Sequence, residues 1–383
     1  MKLGHFWWIL LFSAMAAPSA YGDEIANDIR TIAEVGPQAA GATNARAAHD
    51  RLARRGVEVL PRLLVAMDTT NIVAANWYRS VFERIVAQAT ALADADLPLK
   101  AMKNYLHEPT RQGRVRRLAL NLVDQELPGY RESVLPTLLD DPEFRSEAVE
   151  LSLKQGDQAL ADGNRELAQR QFQAAFKHAR ASQQVTAAAE RLKNLDVDVN
   201  VIDHLGLLTR WYVVGPFDAP GMSGFDKSFP PEKELELNAE YVGQEDTTIR
   251  WRLMETDDML GLVNLVQALA PAKEAVGYAY TEIHSPGLQE AYLKCGADDN
   301  LTVWLNDEKI FSRKQWLNGT RLDRFTAPAR LLEGANRVLV KVCQGPQHIN
   351  PAVPNNWSLQ LRFCDETGAN VGVTCTLPRP KQE

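Results

Sequence analysis

The chain has 383 residues, which is long enough for two or three domains with separate hydrophobic cores. Its net charge of -7 gives no electrostatic reason to expect nucleic acid or an anionic membrane as a partner. An apolar fraction of 45% and a charged fraction of 24% are ordinary for a soluble protein.

The N-terminus has the pattern of a secretory signal peptide, predicted at residues 1–22. Lys2 precedes an apolar run over residues 6–17, and Ala-Tyr-Gly at residues 20–22 places small residues where a signal peptidase cleaves. The run is too short to span a bilayer comfortably. We therefore expect a mature chain that begins near Asp23 and is secreted, periplasmic or at the cell surface, with no integral membrane segment after signal cleavage.

Residues 23–155 are predicted to form paired helices in a repeating pattern. Leu-Pro pairs place Pro61, Pro98 and Pro136 at successive spacings of 37 and 38 residues, and each pair is followed by a second helical segment. Proline suits the first turn of a helix, and a period of about 40 with two helices per unit is typical of HEAT-like repeats. A helix pair cannot bury its apolar face alone, so we predict a solenoid, with an irregular helical bundle as the alternative.

Residues 156–204 are predicted to hold one more helical unit and a linker. Gly156, Ala168, Phe172 and Ala175 have the spacing of the small and aromatic positions of a tetratricopeptide repeat, which this stretch resembles. The proline expected near the end of such a repeat is absent. Helical repeats of these kinds imply a protein partner, bound through the repeats.

One basic cluster stands out in the helical half, at Arg114, Arg116 and Arg117. Arginines on an exposed repeat helix usually form a solvated face. The alternative is a surface for an anionic partner such as an acidic polysaccharide.

From residue 205 onward the pattern changes to the period of two that strands require. Apolar Leu301, Val303 and Leu305 alternate with polar or amphipathic neighbours, and Asn306-Asp307 suits a two-residue hairpin turn. Residues 338–342 and 357–363 alternate in the same way. Regularly spaced strands with Gly-containing turns predict an antiparallel β-sandwich over residues 205–383.

A Gly- and Pro-rich stretch over residues 218–234 follows the first of these strands. A segment of this length without periodicity is unusual inside a domain. Its aromatic side chains, together with that of the residue just before it, indicate that it packs against the fold rather than staying disordered. They are Phe217, Phe225 and Phe229.

Two resemblances follow from these residues. Residues 291–311 resemble the galactose-binding-like jelly roll, the sugar-binding sandwich attached to many glycoside hydrolases, although Asn-Asp stands here for the usual Asn-Gly. The series of Trp211, Gly215-Pro216-Phe217, Pro230-Pro231, Tyr241 and Trp251 resembles bacterial extracellular proteins that pair helical repeats with such a sandwich. The resemblance implies a multidomain chain, an α-solenoid followed by an antiparallel jelly-roll sandwich, and a sugar ligand. It carries no catalytic motif.

Two polar loops are the candidate ligand site. Sugar sites combine an aromatic face with side chains that bond hydroxyl groups, and long loops at the end of a sandwich are common binding places. The loop over residues 312–320 and the loop over residues 344–356 both fit. The alternative for Trp316 is that its side chain covers the edge of the sandwich and binds no ligand. The candidate residues are Arg313, Trp316, Asn318, His348, Asn350 and Asn355.

The acidic turn at Asp298 and Asp299 has two interpretations. Hard cations bind oxygen ligands, so these carboxylates could hold a structural calcium ion. The sequence predicts no other cofactor. The alternative is a turn whose side chains bond backbone groups. Adjacent acids in one turn do not flank a scissile bond as glycoside hydrolysis requires, so no catalytic residues are assigned.

The four cysteines all lie in the last quarter of the chain. In an oxidising compartment they could form two disulfides, with three pairings open; the alternative is that they are small apolar strand residues. No spacing among them suggests zinc. They are Cys295, Cys343, Cys364 and Cys375.

The sequence favours a non-catalytic extracytoplasmic binding protein. The sandwich is expected to bind carbohydrate, such as a cell-envelope glycan, and the helical repeats a protein partner. The first alternative is a structural or scaffolding envelope protein with no sugar ligand. The second is an accessory or degenerate component of a glycoside hydrolase.

Overall fold

The computed structural model describes residues 20–92, 96–314, 319–350 and 355–378. The chain divides into two compact units, Met1–Val134 and Leu135–Glu383. Nearly all of the predicted signal peptide falls outside the described residues. Among the helices that are described, none combines the length and the apolar character needed to cross a membrane.

The first unit is helical, and its helices share one apolar core. Ile32, Leu63, Phe82 and Met102 come from four different helices and are almost completely buried in it. Pro61 lies in the first turn of its helix, where a missing N–H costs nothing, and Pro98 caps another. The helices are α1 (Ala20–Ala33), α2 (Ala42–Arg55), α3 (Leu60–Met67), α4 (Ile72–Thr90), α5 (Leu99–Leu106), α6 (Gly113–Glu126) and α7 (Tyr130–Val134).

The basic cluster of this unit is not a uniform solvated face. Arg116 is buried, and its Nε donates a hydrogen bond of 2.8 Å to the carbonyl oxygen of Leu106. Arg114 is exposed and donates to the carbonyl oxygen of Thr69 at 3.1 Å. Because α6 places these two side chains in different surroundings, they do not act as one patch.

The second unit begins with further helices. Phe172 is fully buried, and a Cβ added at Gly156 would lie 2.3 Å from its Cε1 atom, which explains the small residue there. The third Leu-Pro pair differs from the first two, because Pro136 lies in a short 3-10 helix, Leu135–Leu138. The longer helices are α8 (Arg145–Ala161), α9 (Arg165–His178), α10 (Ser182–Lys193) and α11 (Val201–Leu205).

The rest of this unit is built from antiparallel strands in three sheets. The strands are β1 (Arg210–Asp218), β2 (Glu240–Val242), β3 (Thr248–Arg250), β4 (Arg252–Glu255), β5 (Val263–Asn264), β6 (Ala275–Ser285), β7 (Gln289–Ala297), β8 (Leu301–Leu305), β9 (Glu308–Arg313), β10 (Phe325–Leu331), β11 (Gly334–Gln344), β12 (Ser358–Cys364) and β13 (Thr374–Cys375), with short helices α12 (Pro230–Lys233) and α13 (Leu265–Ala268) between them. The large sheet has the order β4-β1-β6-β11-β8-β9, with β13 also paired to β6. The small sheet has the order β10-β7-β12-β5, and β2 pairs with β3.

Both main sheets contribute to one hydrophobic core. Val303 and Val340 from the large sheet and Leu293 and Leu361 from the small sheet are buried in the same cluster, with Trp211 among them. The alternation at residues 301–305 and 338–342 therefore identified strands that share a core. The prediction of helices followed by antiparallel sheets is confirmed.

The acidic turn after β7 connects the two layers. β7 belongs to the small sheet and β8 to the large sheet, so residues 298–300 carry the chain from one layer to the other. The next connection is the predicted hairpin between β8 and β9. Asn306 (φ 51°) and Asp307 (φ 69°) both adopt the left-handed conformation that such a two-residue turn requires.

The outer face of β12 is buried as well, although its alternating pattern indicates a polar side. Arg362 is 0% exposed and donates two hydrogen bonds to the carboxylate of Asp323, at 2.9 and 2.7 Å. A third N–H donates to the carbonyl oxygen of Leu205, the last residue of α11, at 3.1 Å. The polar residue is tolerated here because the helical part of the unit supplies its hydrogen-bond partners.

The Gly- and Pro-rich stretch packs on the outer face of the large sheet, as its aromatic residues indicated. We call residues 219–251 the cover segment. Phe229 and Trp251 from this segment are buried with Tyr278 and Cys343 from the sheet. The large sheet is therefore covered on both faces over part of its area.

Candidate functional site

The site is organised by the turn of Asp298 and Asp299, whose side chains are both buried. Asp298 Oδ1 accepts a hydrogen bond of 2.5 Å from the N–H of Gly319, in the first predicted loop. Asp299 Oδ2 accepts one of 2.7 Å from the N–H of Gly345, in the second predicted loop. Both loops are therefore held at one end of the sandwich by neighbouring carboxylates.

The second loop is also tied at both of its ends. Gln344 Nε2 donates hydrogen bonds to Asn355 Oδ1 at 2.5 Å and to the carbonyl oxygen of Asn356 at 2.9 Å. Asn355 in turn donates to the carbonyl oxygen of Ala272 at 3.5 Å. These bonds join the two described ends of the loop, residues 344–350 and 355–356, and Asn355 belongs to its base.

The other predicted residues lie around this turn. Arg313 ends β9 opposite Leu301, the first residue after the turn, and is exposed. His348 and Asn350 are exposed residues of the second loop, and the N–H of Asn350 donates to His348 Nδ1 at 3.0 Å. Trp316 and Asn318 lie outside the described residues.

The electrostatics of the turn are set by burial. Removal of Asp298 from water, together with the nearby Asp299 carboxylate, raises the pKa of the Asp298 carboxyl to about 7, against the opposing effect of the Gly319 N–H. Near neutral pH a large fraction of this carboxyl therefore carries a proton, while it still accepts the hydrogen bond from Gly319.

A metal site is not apparent among the described side chains, where no group of three or more His, Cys, Asp or Glu residues is placed to hold an ion. Asp298 and Asp299 each use an oxygen to accept a main-chain N–H. These hydrogen bonds attach the two loops to the turn. Structural calcium stays a prediction.

The four cysteines, all within the described part of the chain, are free thiols and no disulfide joins them. Cys295, Cys343 and Cys364 are buried strand residues. Burial raises the pKa of Cys295 and that of Cys343 to about 12, so both thiols stay protonated at neutral pH. In this structure they behave as small apolar side chains.

A small cleft on the outer face of the large sheet was not singled out from the sequence. Its floor consists of Tyr280, Leu339 and Trp304, which lie side by side on β6, β11 and β8. The cleft has a volume of about 140 Å³, and Arg337 and Asp307 form an ion pair at its rim. The alternation in β8 places Trp304 on the outer face, but the pattern does not show that a cleft forms there.

A larger concave surface lies between the cover segment and the connection from α13 to β6. It has a volume of about 850 Å³. Pro216 and Trp251 of its lining are among the residues that carry the resemblance, whereas Arg250 and Arg252, which also line this groove, were not predicted as site residues. A signal was present, because Thr248, Arg250 and Arg252 alternate with apolar neighbours. Members of the lining include Pro216, Gln244, Thr248, Arg250, Arg252 and Pro271.

The fold and these surfaces define a class of protein: helices followed by a two-layered antiparallel sandwich with polar loops at one end. No family model matches the chain, and no curated protein matches it. Among solved structures, a family 35 carbohydrate binding module from an environmental isolate is 11% identical, with 26% of this chain and 71% of that chain covered and a TM-score of 0.20.

Two glycosidases are also among the similar structures. The β-glucuronidase of Ruminococcus gnavus is 14% identical over 42% of this chain and 29% of that chain, with a TM-score of 0.26. A GH2 β-galacturonidase from Eisenbergiella tayi is 7% identical over 41% of this chain and 25% of that one, with a TM-score of 0.23. The chain thus spans less than a third of either glycosidase. At these TM-scores the likeness does not decide function.

Proposed function

We propose that this chain is a non-catalytic carbohydrate-binding protein whose β-sandwich binds its ligand with the two polar loops around the Asp298-Asp299 turn. The observation that carries the proposal is the attachment of both loops to that one buried turn, through Gly319 and Gly345. Hydrogen bonds that hold the described ends of both loops reduce the conformational entropy lost when a ligand binds.

The exposed groups of the loops suit a ligand rich in hydroxyl groups. Arg313 supplies guanidinium donors, Asn350 supplies an amide, and His348 supplies an imidazole. In the tautomer whose Nδ1 accepts from the N–H of Asn350, the proton is on Nε2, and that nitrogen is a donor for the ligand. The sequence prediction adds Trp316, which lies outside the described residues, as the aromatic side chain of the site.

A glycan array probed with the full chain tests the proposal, followed by titration calorimetry with the glycans that bind. We expect His348→Ala and Trp316→Ala each to weaken binding by about tenfold, the effect of losing one well-placed contact. His284→Ala is the matched control. His284 is an exposed histidine on β6. On the same strand Ala275 pairs with Gln344, at the start of the second loop. His284 is nine residues from Ala275 along β6, so it lies roughly 30 Å from that end of the loop.

Two results would count against the proposal. One is a chain that binds no glycan on the array and instead retrieves a protein partner, which favours the scaffolding alternative. The other is glycan binding that is unchanged by both loop substitutions. Loss of binding in the His284 control would show that the substitutions act through the fold rather than through the loops.

We further propose the finer architecture that the sequence predicts: HEAT-like repeats over residues 23–155, a tetratricopeptide-like unit over residues 156–204, and a jelly roll over residues 205–383. The proline spacings and the helix pair packed at Gly156 and Phe172 support the repeats. Export, with cleavage near Asp23, is proposed from the N-terminal pattern. A protein retained in the cytoplasm would contradict export, and an exported protein whose intact mass does not correspond to a start near Asp23 would contradict the cleavage position.

A further inference from the structure

We propose that the groove beside the cover segment is a second binding site, and that its ligand is an acidic polysaccharide held by Arg250 and Arg252. The groove has a volume of about 850 Å³, which lies within the usual range of ligand pockets. It lies entirely within the second unit and shares no residue with the two polar loops. The two binding proposals can therefore be tested separately.

The lining of the groove presents an ordered row of donors. Thr248, Arg250 and Arg252 are exposed, while the residues between them, Ile249 and Trp251, are buried. Thr248 and Arg250 lie on one side of β3, about 7 Å apart, and Arg252 follows as the first residue of β4. Two guanidinium groups that follow one another along the groove match a ligand that repeats its negative charges along a chain.

The guanidinium groups are accessible to a ligand anion. Arg252 donates one hydrogen bond, of 3.3 Å, to the carbonyl oxygen of Leu269, and it has no carboxylate partner among the described residues. Arg250 pairs with Glu240, but both side chains are more than half exposed, so the ion pair is weak and exchangeable. Glu245 adds one negative charge to the lining against these two positive charges.

The groove has fixed walls. The side chain of Gln244 crosses from the cover segment and donates a hydrogen bond of 2.7 Å to the carbonyl oxygen of Lys273. The next two residues, Glu245 and Asp246, both have a φ of 54°, in the left-handed region that is unfavourable for non-glycine residues. Strained backbone of this kind is concentrated at functional sites, where the surrounding structure maintains it.

The chemistry of the lining selects the ligand class. Arginine binds carboxylates with paired N–H donors, and the hydroxyl group of Thr248 can bond the hydroxyl groups of a sugar. Pro216, Leu269 and Pro271 offer apolar contact to the faces of sugar rings. A neutral glycan would leave both arginines without an anion, so we infer a polymer of uronic acids.

Titration calorimetry on the full chain, with a linear tetramer of galacturonic acid as the probe, tests this inference. The neutral galactose tetramer serves as its counterpart. We expect the acidic tetramer to bind at least about tenfold more tightly than the neutral one, and to lose affinity as salt is raised from roughly 50 to 300 mM. Arg250→Gln and Arg252→Gln should each reduce its affinity by about fivefold to tenfold.

Arg330→Gln is the matched control, because Arg330 is an equally exposed strand arginine with a carboxylate partner, Glu290, and it does not line the groove. It should change the affinity by less than about twofold. Equal binding of the two tetramers, or full affinity in both groove variants, would overturn the inference. The loop variant His348→Ala should bind the acidic tetramer normally. If it alone loses binding, the tetramer occupies the loop site and the groove proposal is wrong.

Discussion

The buried carboxyl of Asp298 couples the stability of the second unit to pH. An aspartate in an unfolded chain has a pKa of about 3.9, whereas burial raises the pKa of Asp298 to about 7. At a pH between these two pKa values, the folded state holds a proton on Asp298 that the unfolded state has released. Raising the pH from 5 to 8 therefore lowers the free energy of unfolding, by about 2 kcal/mol after allowance for partial solvent screening.

We expect Asp298→Asn to abolish this part of the pH dependence. The amide oxygen of Asn can still accept the hydrogen bond from Gly319, but the side chain no longer titrates. Urea unfolding of the variant and the wild type at pH 5, 6, 7 and 8 measures the difference between them. Glu290→Gln, which removes an exposed carboxylate, is the control and should follow the wild-type curve. Parallel curves for Asp298→Asn and wild type would refute the assignment.

At the scale of elements, one buried ion pair holds the cover segment on the large sheet. Lys341 lies on the outer side of β11 with only 3% of its side chain exposed, and its Nζ is 2.7 Å from a carboxylate oxygen of Glu232. It also donates to the carbonyl oxygen of Lys227 at 2.7 Å, and the hydroxyl group of Tyr278 donates to Glu232. Three elements therefore share one polar cluster beneath the segment.

Replacement of Lys341 by Met should destabilise the second unit by about 3 kcal/mol, because the Glu232 carboxylate is left largely buried without its cation. The double variant Lys341→Met/Glu232→Gln should recover much of this loss, since it removes both charges and keeps an oxygen that accepts the Tyr278 hydrogen bond. Urea unfolding gives both values. A double variant no more stable than the single one would show that packing, rather than the unpaired charge, causes the loss.

At the scale of the whole molecule, the helices from α8 to α11 belong to the same compact unit as the sandwich. Leu205 accepts a hydrogen bond from Arg362, and Leu207 is bridged to the same strand residue. Leu207 is buried in a cluster with Phe172 and Val185 from the helices. The predicted sandwich boundary at residue 205 therefore falls between elements that pack together.

We expect a fragment starting at residue 135 to be soluble and to unfold cooperatively, and a fragment starting at residue 205 to be less stable and prone to aggregate. The shorter fragment exposes the apolar side of Leu207 and removes the helices that cover β12. Thermal unfolding and gel filtration of the two fragments give the comparison. Equal stability would show that the helices contribute little to the fold of the sandwich.

The candidate site was accessible from the sequence only in part. Its two loops could be placed at a sandwich end because strand periodicity locates the connections between strands. The role of Asp298 and Asp299 as the anchors of both loops was not accessible, since hydrogen bonds to Gly319 and Gly345 join residues 21 and 46 positions apart. The groove beside Arg250 and Arg252 was missed for the same reason.

Local pattern determined the helices of the first half, the alternating strands of the second half and the turn at Asn306-Asp307, because helix and strand periods and turn conformations depend on neighbouring residues. Only the tertiary structure decided that Lys341 and Arg362 are buried, although strand alternation places both on a polar face. Burial depends on what packs against a face, and the covering elements, the cover segment and α11, are distant in sequence. A pattern of period two identifies the two sides of a strand, but not which of them remains in water.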